Sequence, residues 1–414
     1  MQRKLAFEHT PGLGLPLRFL LAAPWFGALA GLLLLWFGPD ALSSRWSPAA
    51  LGLTHLLTLG FLGMAMAGSL LQMVPVVAGV ELRWARHAGP LVWWSLGAGA
   101  LLLVTGFLCG LPGCLRAAGI LLGFAFSLLI AVLARALSLR VAPDALPMVA
   151  GMRLALPSLA LAVGAGVALT AFLTGRLSLR AVEWTNVHAA WALVGWVGVL
   201  IVSVVFQVVP MFQSTQLFPR PLAFMLPALC VAGLALWTAG YLLGRPWQWL
   251  GAGLAAACLA AFAAYTLLLL FRRKRAADAL TWYWWLALGS LLACVPLALW
   301  PGRPVLLGVL FLCGFAMSAV NGMLYKIVPF LLWYHGQHTG RDVPGVRQLM
   351  PESEPRVQFA WHAASVLLLA GAALAPDWLA RAAGVALAVS CMRLGFDLAL
   401  PALATRKARQ LQPS

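Results

Sequence analysis

Residues 54–63 read Thr54-His55-Leu56-Leu57-Thr58-Leu59-Gly60-Phe61-Leu62-Gly63, and twelve residues after Gly60 comes Gln72-Met73-Val74-Pro75. The same frame returns as Gly195-Trp196-Val197-Gly198 with Gln207-Val208-Val209-Pro210, and again as Gly314-Phe315-Ala316-Met317 with Lys326-Ile327-Val328-Pro329. Each copy lies in a long apolar run, and the copies fall in every fourth run of the chain. A repeat at this interval predicts one supersecondary unit used three times. The expected fold is therefore an all-α integral membrane bundle of about twelve transmembrane helices, arranged as a pseudo-threefold set of three four-helix units. That plan differs from the inverted repeats common among secondary transporters.

Composition fixes the solvent. The 414 residues are 63% hydrophobic and 9% charged, with a mean hydropathy of +0.92, whereas soluble domains are about one quarter charged. A helix needs about 20 apolar residues to cross a bilayer. Twelve segments meet or approach this: 17–37, 50–79, 89–110, 117–138, 154–174, 186–211, 222–243, 247–271, 281–300, 304–333, 358–375 and 378–402. No signal peptide is expected, because the first run lacks a small-residue cleavage pattern. The net charge of +17 reads as cytoplasmic loops rather than as a nucleic-acid surface. Arg45, Arg116, Arg176, Arg180, Arg245, Arg303 and Arg381 fall on one side of the alternation. Nineteen Lys and Arg residues fall on the other, among them Arg3, Lys4, Arg83, the run Arg272 to Arg275, and Arg341. Positive charge is retained in the cytoplasm. The expectation is a single polytopic domain over 1–414 in a bacterial inner membrane, with both termini cytoplasmic and one sizeable cytoplasmic loop at about 334–358.

Two of the three repeats carry an imidazole near the start of their helix: His55, five residues before Gly60, and His188, seven before Gly195. An intramembrane His is costly unless paired or bound, and it marks a site by default. The repeated pair points to metal or heme ligation. The competing reading is a hydrogen bond to Thr54, Thr58 or a backbone carbonyl that locks helices together. His335, His338 and His362 sit toward the cytoplasmic side. They read either as a further metal or heme site or as solvated interfacial residues within an aromatic belt. Lys326 replaces the Gln of the other repeats and can snorkel to the surface or serve a proton or anion. Arg393 and Asp397 are four apart and can pair on one helix face. Gln72 and Gln207 are expected to hydrogen-bond between helices, with proton conduction as the alternative. Met64, Met66 and Met73 are expected to pack. Cys109 and Cys114 are placed where a disulfide is permitted. No C-x-x-C-H, P-loop or H-E-x-x-H occurs, which argues against covalent heme attachment and ATP-driven transport.

Twelve helices, the threefold period, Thr54-His55 with Gly60-Phe61, Val187-His188 with Gly195-Trp196-Val197-Gly198, and the three Val-Pro endings resemble the heme-copper oxidase subunit I superfamily, in its smaller NnrS-like branch. The resemblance spans about 17–400. It implies that His55 matches a low-spin heme ligand and His188 a copper ligand, hence heme b or copper as cofactor. It also implies a link to nitric oxide or respiratory metabolism and a c-type cytochrome or other respiratory subunit as partner. The chain departs from that pattern: 304–333 and 222–243 contain no His, and no Tyr is close in sequence to His188. A complete oxygen- or nitric-oxide-reducing centre is therefore not expected. A transporter or metal- or heme-delivery permease, and a non-catalytic subunit of a respiratory complex, are the alternatives.

Overall fold

A computed structural model describes residues 9–82, 84–299, 302–338 and 344–411. Arg3, Lys4, Arg83 and Arg341, which entered the expectations above, and the last residue of the expected segment 281–300 lie outside the described residues. All the regular structure described is helical. The long helices are α1 (Gly14–Phe37), α2 (Pro48–Val77), α3 (Ala85–Cys109), α4 (Pro112–Leu137), α5 (Leu146–Leu173), α6 (Ala181–Gln213), α7 (Arg220–Leu242) and α8 (Gln248–Phe271). They continue with α9 (Ala279–Leu299), α10 (Pro304–Gln337), α11 (Ser353–Ala372) and α12 (Pro376–Thr405). Eleven are long and apolar enough to cross a membrane, and α11 is the exception. Its 20 residues would span about 30 Å, but it carries Gln358, His362 and Ser365, all buried. Polar groups that face protein rather than lipid lower its hydropathy without shortening it.

Burial separates two classes of helix. In the apolar windows of α2, α6 and α10, 78%, 78% and 67% of residues are buried, against 28–56% in the other eight spans. These three are the repeat-bearing helices, and they form the interior. Each contains an eight-residue π-helical run: Leu56–Gly63, Trp191–Gly198 and Leu310–Met317. The quoted motifs Gly60 to Gly63, Gly195 to Gly198 and Gly314 to Met317 are the second halves of those runs. A π turn inserts a residue into the helix and widens it, a feature concentrated at functional positions.

The first glycine of each motif is explained by its neighbour. A Cβ on Gly60 would lie 2.4 Å from Phe26, one on Gly195 2.9 Å from Ser158, and one on Gly314 2.5 Å from Ser290. Those partners belong to α1, α5 and α9. The helix preceding each widened turn therefore approaches closer than any side chain allows. Around this interior, α3 packs on α4, α7 on α8 and α11 on α12, while α4 meets α5, α8 meets α9, and α12 returns to α1. The π run of α10 touches those of both α2 and α6.

Several boundaries differ from the sequence expectation. Helix α10 continues through His335 to Gln337, and α11 begins at Ser353, with a short helix Val346–Leu349 between them. The expected loop at 334–358 is correspondingly shorter. Apolar content marks where lipid begins, whereas α11 starts before it, with Glu354 in a first turn that favours negative charge.

Candidate metal centre

His55 closes the first α-helical segment of α2, immediately before the π run. His188 lies two residues before the matching position in α6, which is occupied by Ala190. In α10 the matching residue is Val309. Despite the offset, the structure brings the two imidazoles together: their ring centroids are 6.4 Å apart and their planes differ by 18°. Both rings are half-buried.

Each ring is held by one nitrogen. His55 Nδ1 lies 2.8 Å from the Leu51 carbonyl oxygen, and His188 Nδ1 lies 2.8 Å from that of Ala162 on α5. A carbonyl can only accept, so both Nδ1 atoms carry the proton and both Nε2 atoms keep a lone pair. No described residue hydrogen-bonds either Nε2. This arrangement, with one N–H anchored and the other nitrogen bare, is how metal-bound imidazoles are oriented. Phe107 packs 5.4 Å from the His55 ring. A Cβ on Gly166 would stand 3.0 Å from His188 Cε1, so a glycine there leaves space for that ring.

The remaining sequence candidates separate into other places. His362 is not a solvated interfacial residue but lies two turns inside α11, fully buried. The earlier start of the helix moves it inward. Both of its nitrogens are engaged: Nε2 with Ser318 Oγ at 2.8 Å and Nδ1 with Asn321 Nδ2 at 3.2 Å. His335 and His338 flank Tyr334 at the end of α10, with ring centroids 5.5 and 4.3 Å from it. Among the described residues, no three His, Cys, Asp or Glu side chains form a group able to hold a metal ion.

The polar intramembrane residues also have definite surroundings. Arg393 pairs with Asp397 at 2.9 Å, one turn along α12, and also with Glu354 on α11. Tyr325 donates to Asp397 at 2.7 Å. Lys326 reaches Asp278 at 3.4 Å, whose carboxylate also accepts from Gln213 and Thr281. Gln72 and Gln207 are buried, and the Gln72 side-chain oxygen has no hydrogen-bond partner. Met64 and Met66 are core residues, and Cys109 and Cys114 are free thiols.

Sequence reasoning paired Asp397 with Arg393 but missed its second partner, Tyr325, and the partners of His362. Glu354, Gln358 and His362 recur every fourth residue, which is the available signal for one polar face of α11. Comparison with known proteins adds no further constraint: no family model and no curated protein matches the sequence.

Proposed function

We propose that this multi-pass membrane protein binds a transition-metal centre, heme b or copper, through His55 and His188. The observation that carries the reading is the pairing of two anchored imidazoles whose Nε2 atoms are both unshared. Metal–imidazole bonds are about 2.0–2.1 Å, so two imidazoles able to share one ion must have ring centres within about 6–7 Å of each other. The observed separation is 6.4 Å. The donor set fits bis-histidine heme iron or two-coordinate copper(I). It does not fit a closed structural zinc site, which takes four protein ligands, since no third His, Cys, Asp or Glu joins the pair among the described residues. When bound, such a centre would supply one-electron chemistry. The protein's part is to fix the tautomers, orient the rings and keep the second nitrogens open.

The same proposal takes α11 as a twelfth span and the bundle as three four-helix units, as in heme-copper oxidase subunit I. Three matching π runs and the packing of α12 on α1, α4 on α5 and α8 on α9 support it. A role in nitric oxide or respiratory metabolism, with a c-type cytochrome or respiratory subunit as electron partner, belongs to this reading.

The test is a reduced-minus-oxidised optical spectrum of the detergent-purified protein with iron and copper analysis per chain. Stoichiometric metal that is lost in both His55→Ala and His188→Ala, with monodispersity retained, is the expected result. A colourless, metal-free wild-type protein overturns the proposal and favours a transporter that contacts its cargo transiently.

A further inference from the structure

Among the described residues, only two side chains of the Asp, Glu, His, Lys and Arg types are buried: His362 and Asp397. Both lie in the third of the bundle built from α9 to α12, at different depths, and polar side chains occupy the space around them. Glu354 and Arg393 pair at the end of the bundle that carries Arg272 to Arg275, with side chains 35% and 38% exposed. Arg393 holds Asp397, which accepts from the Tyr325 hydroxyl. Tyr283 on α9 packs against Gly322, between Asn321 and Tyr325, and its hydroxyl donates to Gln358. Gln358 in turn donates to Ser390 at 3.0 Å. One helical turn deeper, the His362 ring lies 5.9 Å from that of Tyr283. Eight residues of α11 separate Glu354 from His362, a depth of about 12 Å.

A simple helix lock does not need these residue types. Buried ionic groups are weak stabilisers compared with apolar packing, and α3, α4, α7 and α8 pack without any buried Asp, Glu, His, Lys or Arg. Charged groups inside a membrane characteristically form proton relays. The surroundings of His362 fit both of its protonation states. In the neutral ring, Nε2–H donates to Ser318 Oγ, and the Ser318 hydroxyl donates to the Cys313 carbonyl at 3.3 Å; Nδ1 accepts from the Asn321 amide. The other atom of that amide, Asn321 Oδ1, is enclosed and has no partner. Half a turn of the Asn321 amide exchanges its donor for this unused acceptor.

We propose that His362 is a proton-loading site inside the membrane, supplied from the basic end of the bundle through Asp397, Tyr325 and Tyr283. A proton from water binds a carboxylate oxygen of Asp397. The O–H bond then breaks and the proton moves by way of the Tyr325 and Tyr283 hydroxyls, each of which turns from its present acceptor, Asp397 or Gln358, as it accepts one proton and releases another; a new N–H bond forms at His362 Nδ1 once the Asn321 donor has turned away from it. The carboxylate of Asp397 is restored beside Arg393, and Asn321 Oδ1 accepts from the imidazolium. The titratable or charged groups facing this path are Tyr283 on α9, Cys313 and Tyr325 on α10, Glu354 on α11, and Cys391, Arg393 and Asp397 on α12. Lys326, next to Tyr325, is turned to Asp278. The inference does not depend on any ligand at His55 and His188.

The experiment is nitrogen NMR of histidine-labelled full-length protein in lipid nanodiscs, with the His362 signal identified by its loss in His362→Gln. The wild-type ring is expected to be the neutral Nε2–H tautomer at about pH 8 and to become imidazolium as the pH is lowered to about 4. A ring that stays neutral throughout overturns the proposal. In Asn321→Leu, which removes the acceptor, conversion is expected to require at least about tenfold more protons; titration identical to wild type overturns the role of the amide. Asp397→Asn keeps a side chain able to bond Tyr325. It is expected to slow deuteration of the His362 Nε2–H at least about tenfold after transfer to heavy water. An unchanged rate overturns the uptake route.

Discussion

The second ring nitrogen distinguishes His55 and His188 from His362. In the first two it is bare, and in the third it is hydrogen-bonded, which is the difference on which the proposed metal centre and the proposed proton site each rest. If the orientation of His188 matters, crowding should disturb the site without removing a ligand. Gly166→Val is expected to displace the ring and lower bound metal several-fold while the protein stays monodisperse, as metal analysis of the purified variant would read; full occupancy would show that the ring is not confined from that side. Asp278 gives a second residue-level prediction. Burial opposes its ionisation, but hydrogen bonds from Gln213 and Thr281 and the Lys326 charge outweigh burial and hold its carboxyl below the usual carboxylate range. A carboxyl whose folded pKa is depressed stabilises the fold above its unfolded value of about 3.9 and loses that contribution as pH falls through the folded value. Asp278→Asn is therefore expected to cost about 1–3 kcal/mol at pH 7. The difference from wild type should shrink toward zero as the pH falls below about 3, measured by thermal unfolding in detergent. A difference independent of pH would place the stabilisation elsewhere.

At the scale of the helix, the motif that was legible as a repeat is the sequence trace of a π run. Its glycines and their spacing are visible in the chain. The widened turn is not, because i to i+5 hydrogen bonding leaves no composition of its own and depends on which helix presses against it. The same limit applies to His55 and His188. Each was recognisable as an imidazole in an apolar helix, but their convergence depends on how α2 and α6 face one another across the interior. The boundary of α11 was misplaced for a related reason, since Gln358 and His362 read as an interface when they are buried against α9, α10 and α12. An inserted residue absorbed by a π run can be removed without turning the flanking segments relative to each other, whereas one removed from regular α-helix turns everything beyond it by about 100°. Deleting Leu59, inside the run of α2, is therefore expected to leave monodisperse protein. Deleting Ala67, buried in the α-helical part that follows, is expected to abolish it. Equal yields on size-exclusion chromatography would show that the run is not an inserted residue.

For the whole molecule, the number of crossings fixes which side each terminus occupies, and α11 decides that number. Eleven helices qualify as spans by composition, which taken alone would put the two ends of the chain on opposite sides. Helix α11 nonetheless has the length of a span, and it packs extensively along α12 after a connection of only three residues, 373–375. Two helices joined so closely and packed along their length must run antiparallel, which is the geometry that the proposed twelfth crossing needs. Its polar face costs little there, because Gln358, His362 and Ser365 are satisfied by Ser390, Ser318, Asn321 and a backbone carbonyl rather than exposed to lipid. With α11 counted as the proposed twelfth crossing, both termini and the Arg272 to Arg275 loop fall on one side, and the exposed Cys109 at the end of α3 on the other. With epitope tags at each terminus, protease is expected to remove both tags from inverted vesicles and neither from right-side-out cells, where a membrane-impermeant thiol reagent should instead label Cys109. Loss of one tag from each preparation would mean that α11 does not cross. The side chains of Glu354 and Arg393 would then no longer mark the aqueous mouth of the path to His362, and the two results would have to be revised together.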